Sequence, residues 1–157
     1  IGITITGDGI PLDAFKVDHA CGAVERKVLE NGKKDLIIIE GQGSLLHPGS
    51  TATLPLIRGS CPTHLVLCHR AEKQILRYPE SIRIPNLKKF IELNQNLAHV
   101  FGAFPMSKCI GVSLNTSKLN EKEAQKVIDE TTKITGLPVT DPVRYGVEKI
   151  CRSLLIS

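Results

Sequence analysis

The chain has 157 residues, 41% hydrophobic and 23% charged, with a formal net charge of +4. This is enough for one domain with a sizeable core, and no apolar run approaches the roughly 18 residues of a membrane span. Lysines and arginines are dispersed and accompanied by only two Tyr and four Phe, which argues against a nucleic-acid surface and suits small anionic ligands.

Strand and helix patterns alternate from the start. Residues 3–6 (Ile-Thr-Ile-Thr) predict a short strand stopping at Gly7-Asp8-Gly9. Residues 13–29 carry helical periodicity, with Asp13 as N-cap and Asn31-Gly32 as the stop. Leu36-Ile37-Ile38-Ile39 predicts a strand buried on both faces, as in a parallel sheet. A loop rich in Gly, Ser, Thr and Pro follows over 41–53, then a short helix to Arg58. Residues 64–69 predict the next buried strand, and residues 70–85 a long, basic, irregular connection. Pro85 is expected to open a helix reaching Leu97. Residues 109–114 predict a strand ending in Asn115-Thr116-Ser117. Asn120 should cap a helix over 121–135 that stops at Gly136, followed by a short strand at 137–140 and a final helix at 143–155.

This order predicts one α/β domain: a mostly parallel sheet with helices on both faces. Such sheets bind ligands at the carboxyl ends of their strands. The residues found there are Gly7-Asp8-Gly9, Glu40-Gly41-Gln42-Gly43, His69-Arg70, Asn115-Thr116 and Asp141-Pro142. Glu40 is the candidate Mg²⁺ ligand, because a carboxylate directly after a buried strand is costly unless paired or metal-bound. Its alternative is a solvated turn. Gly41, Gln42 and Gly43 are candidates to approach phosphate through backbone N–H groups, with a plain tight turn as the alternative. Asp8 is a candidate second acid near the metal or a substrate contact, or an ordinary turn aspartate. Asp18 is a weaker substrate candidate on a helix face. His47 is a candidate proton carrier, as is His69. Arg70 and Arg58 are candidate clamps for a substrate carboxylate. The histidines show no H-x-x-x-H metal spacing, and Ser44 lacks the context of a hydrolase nucleophile. Five cysteines, an odd number without a C-x-x-C pair, predict reduced thiols and a cytoplasmic protein. Cys68 and Cys109 fall inside apolar strands, as small hydrophobes.

Ile39-Glu40-Gly41-Gln42-Gly43-Ser44 resembles the acidic motif of dethiobiotin synthetase, a P-loop enzyme that activates carboxylates with ATP and Mg²⁺. That resemblance implies that Asn115 reads an adenine edge and that Pro138 lies in the base pocket. A likeness to one family covers nearly the whole chain. Gly7-Asp8-Gly9-Ile10-Pro11-Leu12-Asp13, Glu40-Gly41-Gln42-Gly43-Ser44-Leu45-Leu46-His47-Pro48, Leu67-Cys68-His69-Arg70 and Asp141-Pro142-Val143-Arg144-Tyr145-Gly146 resemble the C-terminal domain of a family long of unknown function. Some members are called D-glutamate N-acetyltransferase, DgcN type. The resemblance implies a P-loop NTPase-like fold and N-acetylation of a D-amino acid such as D-glutamate, with Mg²⁺ and ATP, or acetyl-CoA, as cofactors. The Walker A loop of such proteins is missing: Gly102-Ala103-Phe104-Pro105-Met106-Ser107-Lys108-Cys109 only echoes it, and it precedes a strand rather than a helix. The loop and its strand are expected upstream of Ile1, the chain being the C-terminal part of a longer protein. The expected partner is a small molecule, not nucleic acid or membrane; a homo-oligomer is left open. The rival reading is a non-catalytic nucleotide-binding switch or partner-binding module.

Overall fold

The computed structural model describes residues 9–41 and 43–156. The strand expected at 3–6, Asp8 and Gln42 lie outside the described residues. The chain divides after Cys61 into two compact units, at a point where the sequence shows no linker.

The first unit is built on two helices, α1 (Val17–Glu30) and α2 (Thr53–Ser60). Ala20, Val24 and Ile57 are its buried apolar residues. The helices meet where Gly59 removes a side chain: a Cβ there would stand 2.4 Å from Cys21 O and 2.8 Å from Val24 Cβ. α1 starts after Lys16, so Asp13 is not its N-cap and belongs to a preceding 3-10 turn, Leu12–Ala14. The strand expected at 36–39 is absent. This run is irregular, with Leu36 55% and Ile38 84% exposed. An aliphatic run becomes a strand only where another backbone completes its ladder, and no described residue pairs with this one.

The second unit is a three-stranded sheet in the order β1 (His64–Arg70), β2 (Lys108–Asn115), β3 (Val139–Thr140), parallel throughout. α3 (Leu87–His99) links β1 to β2, and α4 (Glu121–Thr135) links β2 to β3. One face of the sheet presents Cys109, Val112, Leu114 and Val139, which pack with Ile91 of α3 and Ile128 of α4. A bulge at Ile110 shifts the register between Leu65 and Val66. The neighbouring Cys109 N–H donates to Gln95 Oε1 on α3 at 2.7 Å, so the irregularity leaves that donor satisfied. On the opposite face α6 (Glu148–Ile156) covers Gly111 with Ile150. The sheet thus carries helices on both faces, as the alternation of elements predicts. β1 is less buried than its apolar sequence suggests: Val66 and Cys68 are exposed, because residues on alternate sides of a strand meet different cover.

Local capping explains several boundaries. Asn120 and Glu123 form a complete capping box on α4, and Gly136 ends it at φ +71°. α3 is capped by Asn86, whose side chain accepts from Lys89 N–H, so Pro85 lies before the helix rather than in its first turn. The helix expected at 143–155 is two: α5 (Pro142–Tyr145) and α6, separated at Gly146, φ +78°. A Cβ on Gly111 would lie 2.8 Å from Ile150 Cγ1 and 3.1 Å from Pro138 O. Gly111→Ala is therefore expected to lower stability by about 1–3 kcal/mol, read from urea unfolding.

Candidate functional site

The carboxyl ends of the three strands in the second unit form an open cleft of about 650 Å³. β1 contributes Cys68, His69 and Arg70, and β2 runs into Asn115 and Ser117 on the same wall. β3 ends at Asp141, from which α5 starts. In-register parallel pairing places His69 opposite Leu114 and Arg70 opposite Asn115. The cleft therefore follows directly from strand direction.

Asp141 anchors one side. It is buried, 3% exposed, and accepts four hydrogen bonds. Its Oδ1 takes Val143 N–H at 2.9 Å and Arg144 N–H at 3.3 Å, capping α5. Its Oδ2 takes Thr116 N–H at 2.8 Å and the Thr116 hydroxyl. Burial by itself would raise this carboxyl; the donors, led by the Thr116 hydroxyl, outweigh it and hold the group below the ordinary carboxylate value. Arg144 is committed to protein acceptors: Glu121 Oε2 and Thr116 O, each at 3.2 Å, and Leu119 O. Tyr145 donates to Glu121 Oε1 at 2.6 Å, which raises its phenol.

His69 is the second shifted titratable group lining the cleft. Burial lowers its imidazole below the usual histidine value, against the opposing charge of Glu72. A neutral ring at pH 7 can accept a proton. Arg70 is exposed, and its guanidinium bonds to no described residue. Asn115 Oδ1 accepts from Ser117 N–H at 3.0 Å, which orients the carboxamide and leaves its NH₂ donors available. Cys109, by contrast, is buried and its thiol is pushed up by burial, as for an inert core cysteine.

Of the residues singled out from the sequence, the structure gathers His69, Arg70 and Asn115 at this cleft. Pro138 precedes β3, at the strand end opposite the cleft, where its carbonyl accepts from Val112 N–H. Glu40, Gly41, Gly43, His47, Arg58 and Asp18 belong to the first unit. There Glu40 is exposed and follows no strand. The motif's glycines have packing reasons: Gly43 sits at φ +80° against Ser50, and a Cβ on Gly41 would strike Leu56. The loop is held by its own hydroxyls. Ser50 Oγ accepts from Ser44 N–H at 3.1 Å and lies 3.1 Å from Thr53 Oγ1. His47 Nδ1 accepts from Gly49 N–H at 3.1 Å. Asp18 is exposed in the first turn of α1, and Arg58 lies in the last turn of α2. Among the described residues no three His, Cys, Asp or Glu converge as a metal site, and no helix is long and apolar enough to cross a membrane.

In the sequence, Asp141 stands out as a strand-exit residue and Arg144 only within a family motif. Asp directly before Pro is a helix-start signal, N-cap followed by Pro at the first helical position, and it is the signal that identifies the Asp141 cap.

A family model described as DUF1611, a P-loop domain of unknown function, matches residues 1–151. A D-glutamate N-acetyltransferase from Tritonibacter scottomollicae is 36% identical over 154 residues, 98% of this chain and 46% of that protein. One from Pseudoalteromonas sp is 33% identical over the same shares. The chain thus spans about half the length of these curated relatives. A crystal structure of a DUF1611 family protein from Anabaena variabilis superposes with a TM-score of 0.92 at 48% identity, over 96% of this chain and 44% of that one.

Proposed function

Since the chain belongs to the DUF1611 P-loop domain family, we propose that it is part of an N-acetyltransferase acting on D-glutamate or a similar D-amino acid, and that its strand-end cleft takes ATP or the acetyl donor, the latter folded so that its adenosine and its thioester both reach this cleft. The observation that carries this reading is the meeting of His69, Arg70 and Asn115 at one cleft. The named relatives support the activity.

The cleft suits a nucleoside with phosphate. Asn115 offers amide donors to ring nitrogens, Val143 at 95% exposure offers an apolar flank, and Arg70 offers an exposed planar cation for phosphate or carboxylate. ATP and coenzyme A share that adenosine chemistry. In acetyl transfer the substrate nitrogen bonds to the thioester carbonyl carbon while the carbon–sulfur bond breaks. His69, neutral, would take the proton released from nitrogen and pass it to the departing thiolate, giving the free thiol and restoring the neutral ring. The described residues do not assemble a metal-ligand set, and Glu40 remains the residue to probe for Mg²⁺.

The test is calorimetry on the full-length protein with acetyl-CoA and with Mg·ATP, paired with an assay of D-glutamate acetylation. Binding of acetyl-CoA that Arg70→Ala weakens, together with turnover, supports the reading. Nucleotide binding without acetylation favours the rival, a nucleotide-binding switch. A Glu40→Ala variant that loses only the Mg·ATP signal would assign the acidic loop to the metal.

A further inference from the structure

Asp141 and Arg144 stand at the start and within the single turn of α5, and together they hold every polar atom of Thr116. Asp141 accepts from its N–H and its hydroxyl. Arg144 Nη2 donates to its carbonyl oxygen at 3.2 Å. The same nitrogen donates to Leu119 O, while Nη1 reaches Glu121 Oε2. Leu119 N–H in turn donates to Thr116 O at 2.9 Å. Arg144 therefore bonds to both ends of one hydrogen-bonded turn, residues 116–119. Thr116 is fully buried, whereas its neighbours Asn115 and Ser117 face the cleft and are bonded to each other.

We propose that Arg144 is a positioning residue: it fixes the 116–119 turn, whose Ser117 N–H holds the Asn115 carboxamide toward the ligand, and it acts through Asn115. The inference rests on the cleft being the binding place and deepens that reading. Two cleft arginines thus have different tasks. The Arg70 guanidinium bonds to no described residue, while Arg144 already donates to three acceptors. Only a planar fork serves several acceptors in fixed directions; a lysine ammonium is a flexible point charge. An exposed Arg–Glu pair alone adds little, so the two carbonyl contacts are the ones that order the turn.

The experiment is a double-mutant cycle on the full-length protein: wild type, Arg144→Lys, Asn115→Ala and the double variant, each titrated with acetyl-CoA and with ATP. Urea unfolding is run alongside, and Arg144→Gln serves if the lysine variant does not fold. Arg144→Lys is expected to weaken binding about tenfold. Because Arg144 acts through Asn115, the same change in the Asn115→Ala background should cost almost nothing. Amide exchange at Ser117 should rise in Arg144→Lys without ligand. Equal binding by Arg144→Lys and wild type overturns the positioning role. So does a tenfold loss that persists in the Asn115→Ala background, since Arg144 would then touch the ligand directly. A wild type that binds neither probe overturns the cleft reading and this inference with it.

Discussion

Asp141→Ala is expected to cost about 3–5 kcal/mol of folding stability and to abolish ligand binding at the cleft. A hydrogen bond to a charged acceptor contributes about 1.5–3 kcal/mol, and a lost N-cap about 1 kcal/mol. The contributions do not simply add, because the four donors share one carboxylate. Removing it leaves the Thr116 N–H and hydroxyl without their acceptor, and frees the first turn of α5. Asp141→Asn should cost less, since a carboxamide oxygen still accepts on one side. Acid separates the two variants. The folded carboxyl lies below its ordinary value of about 3.8. Its stabilisation is therefore complete above the unfolded value and is lost as pH falls through the lower, folded one. Urea midpoints taken from about pH 7 to about pH 2 should show wild type losing its advantage over Asp141→Asn as acid is added. A constant gap across that range would disprove the role of the ionised form.

The legible parts of this fold are those decided by neighbours in sequence. Asn120, Glu123 and Gly136 bracket α4 because capping is a local exchange of hydrogen bonds. The strands at 64–70 and 108–115 are visible as apolar runs, and they are real because each has a partner backbone. Residues 36–39 have the same composition and a different outcome: among described residues no backbone completes their ladder, and they are largely exposed coil. Composition reports readiness to form a strand, while pairing decides it. The break at Gly146 is hidden in the sequence because the apolar spacing runs across it, although the backbone there, φ +78° with extended ψ, is glycine's. At the site, His69, Arg70 and Asn115 are legible because a parallel sheet puts every strand exit on one side. The Thr116 clamp is not. It joins residues 25 and 28 positions apart, and nothing in local pattern announces such a contact.

His69→Gln is expected to reduce acetyl transfer by the full-length protein about 10²–10⁴-fold, the usual scale for losing a general base. The pH profile carries more information than the rate. Burial holds His69 below the ordinary histidine value of about 6.5, and Glu72 opposes that shift. A base must be neutral to act, so kcat/KM should stay flat down past pH ~6.5 and fall only as the lowered value is crossed. Glu72→Gln removes the charge that favours imidazolium, and should move this acid limb to lower pH. Asp141 also lines the cleft, but its carboxyl is held below the ordinary carboxylate value by the Thr116, Val143 and Arg144 donors. If the limb survives in His69→Gln, or stays in place in Glu72→Gln, the proton goes to another group and His69 is only part of the wall. If both variants behave as expected, one imidazole at the exit of β1 accounts for the acid sensitivity of the reaction, with its charge state set by burial in the sheet and by one carboxylate three residues away.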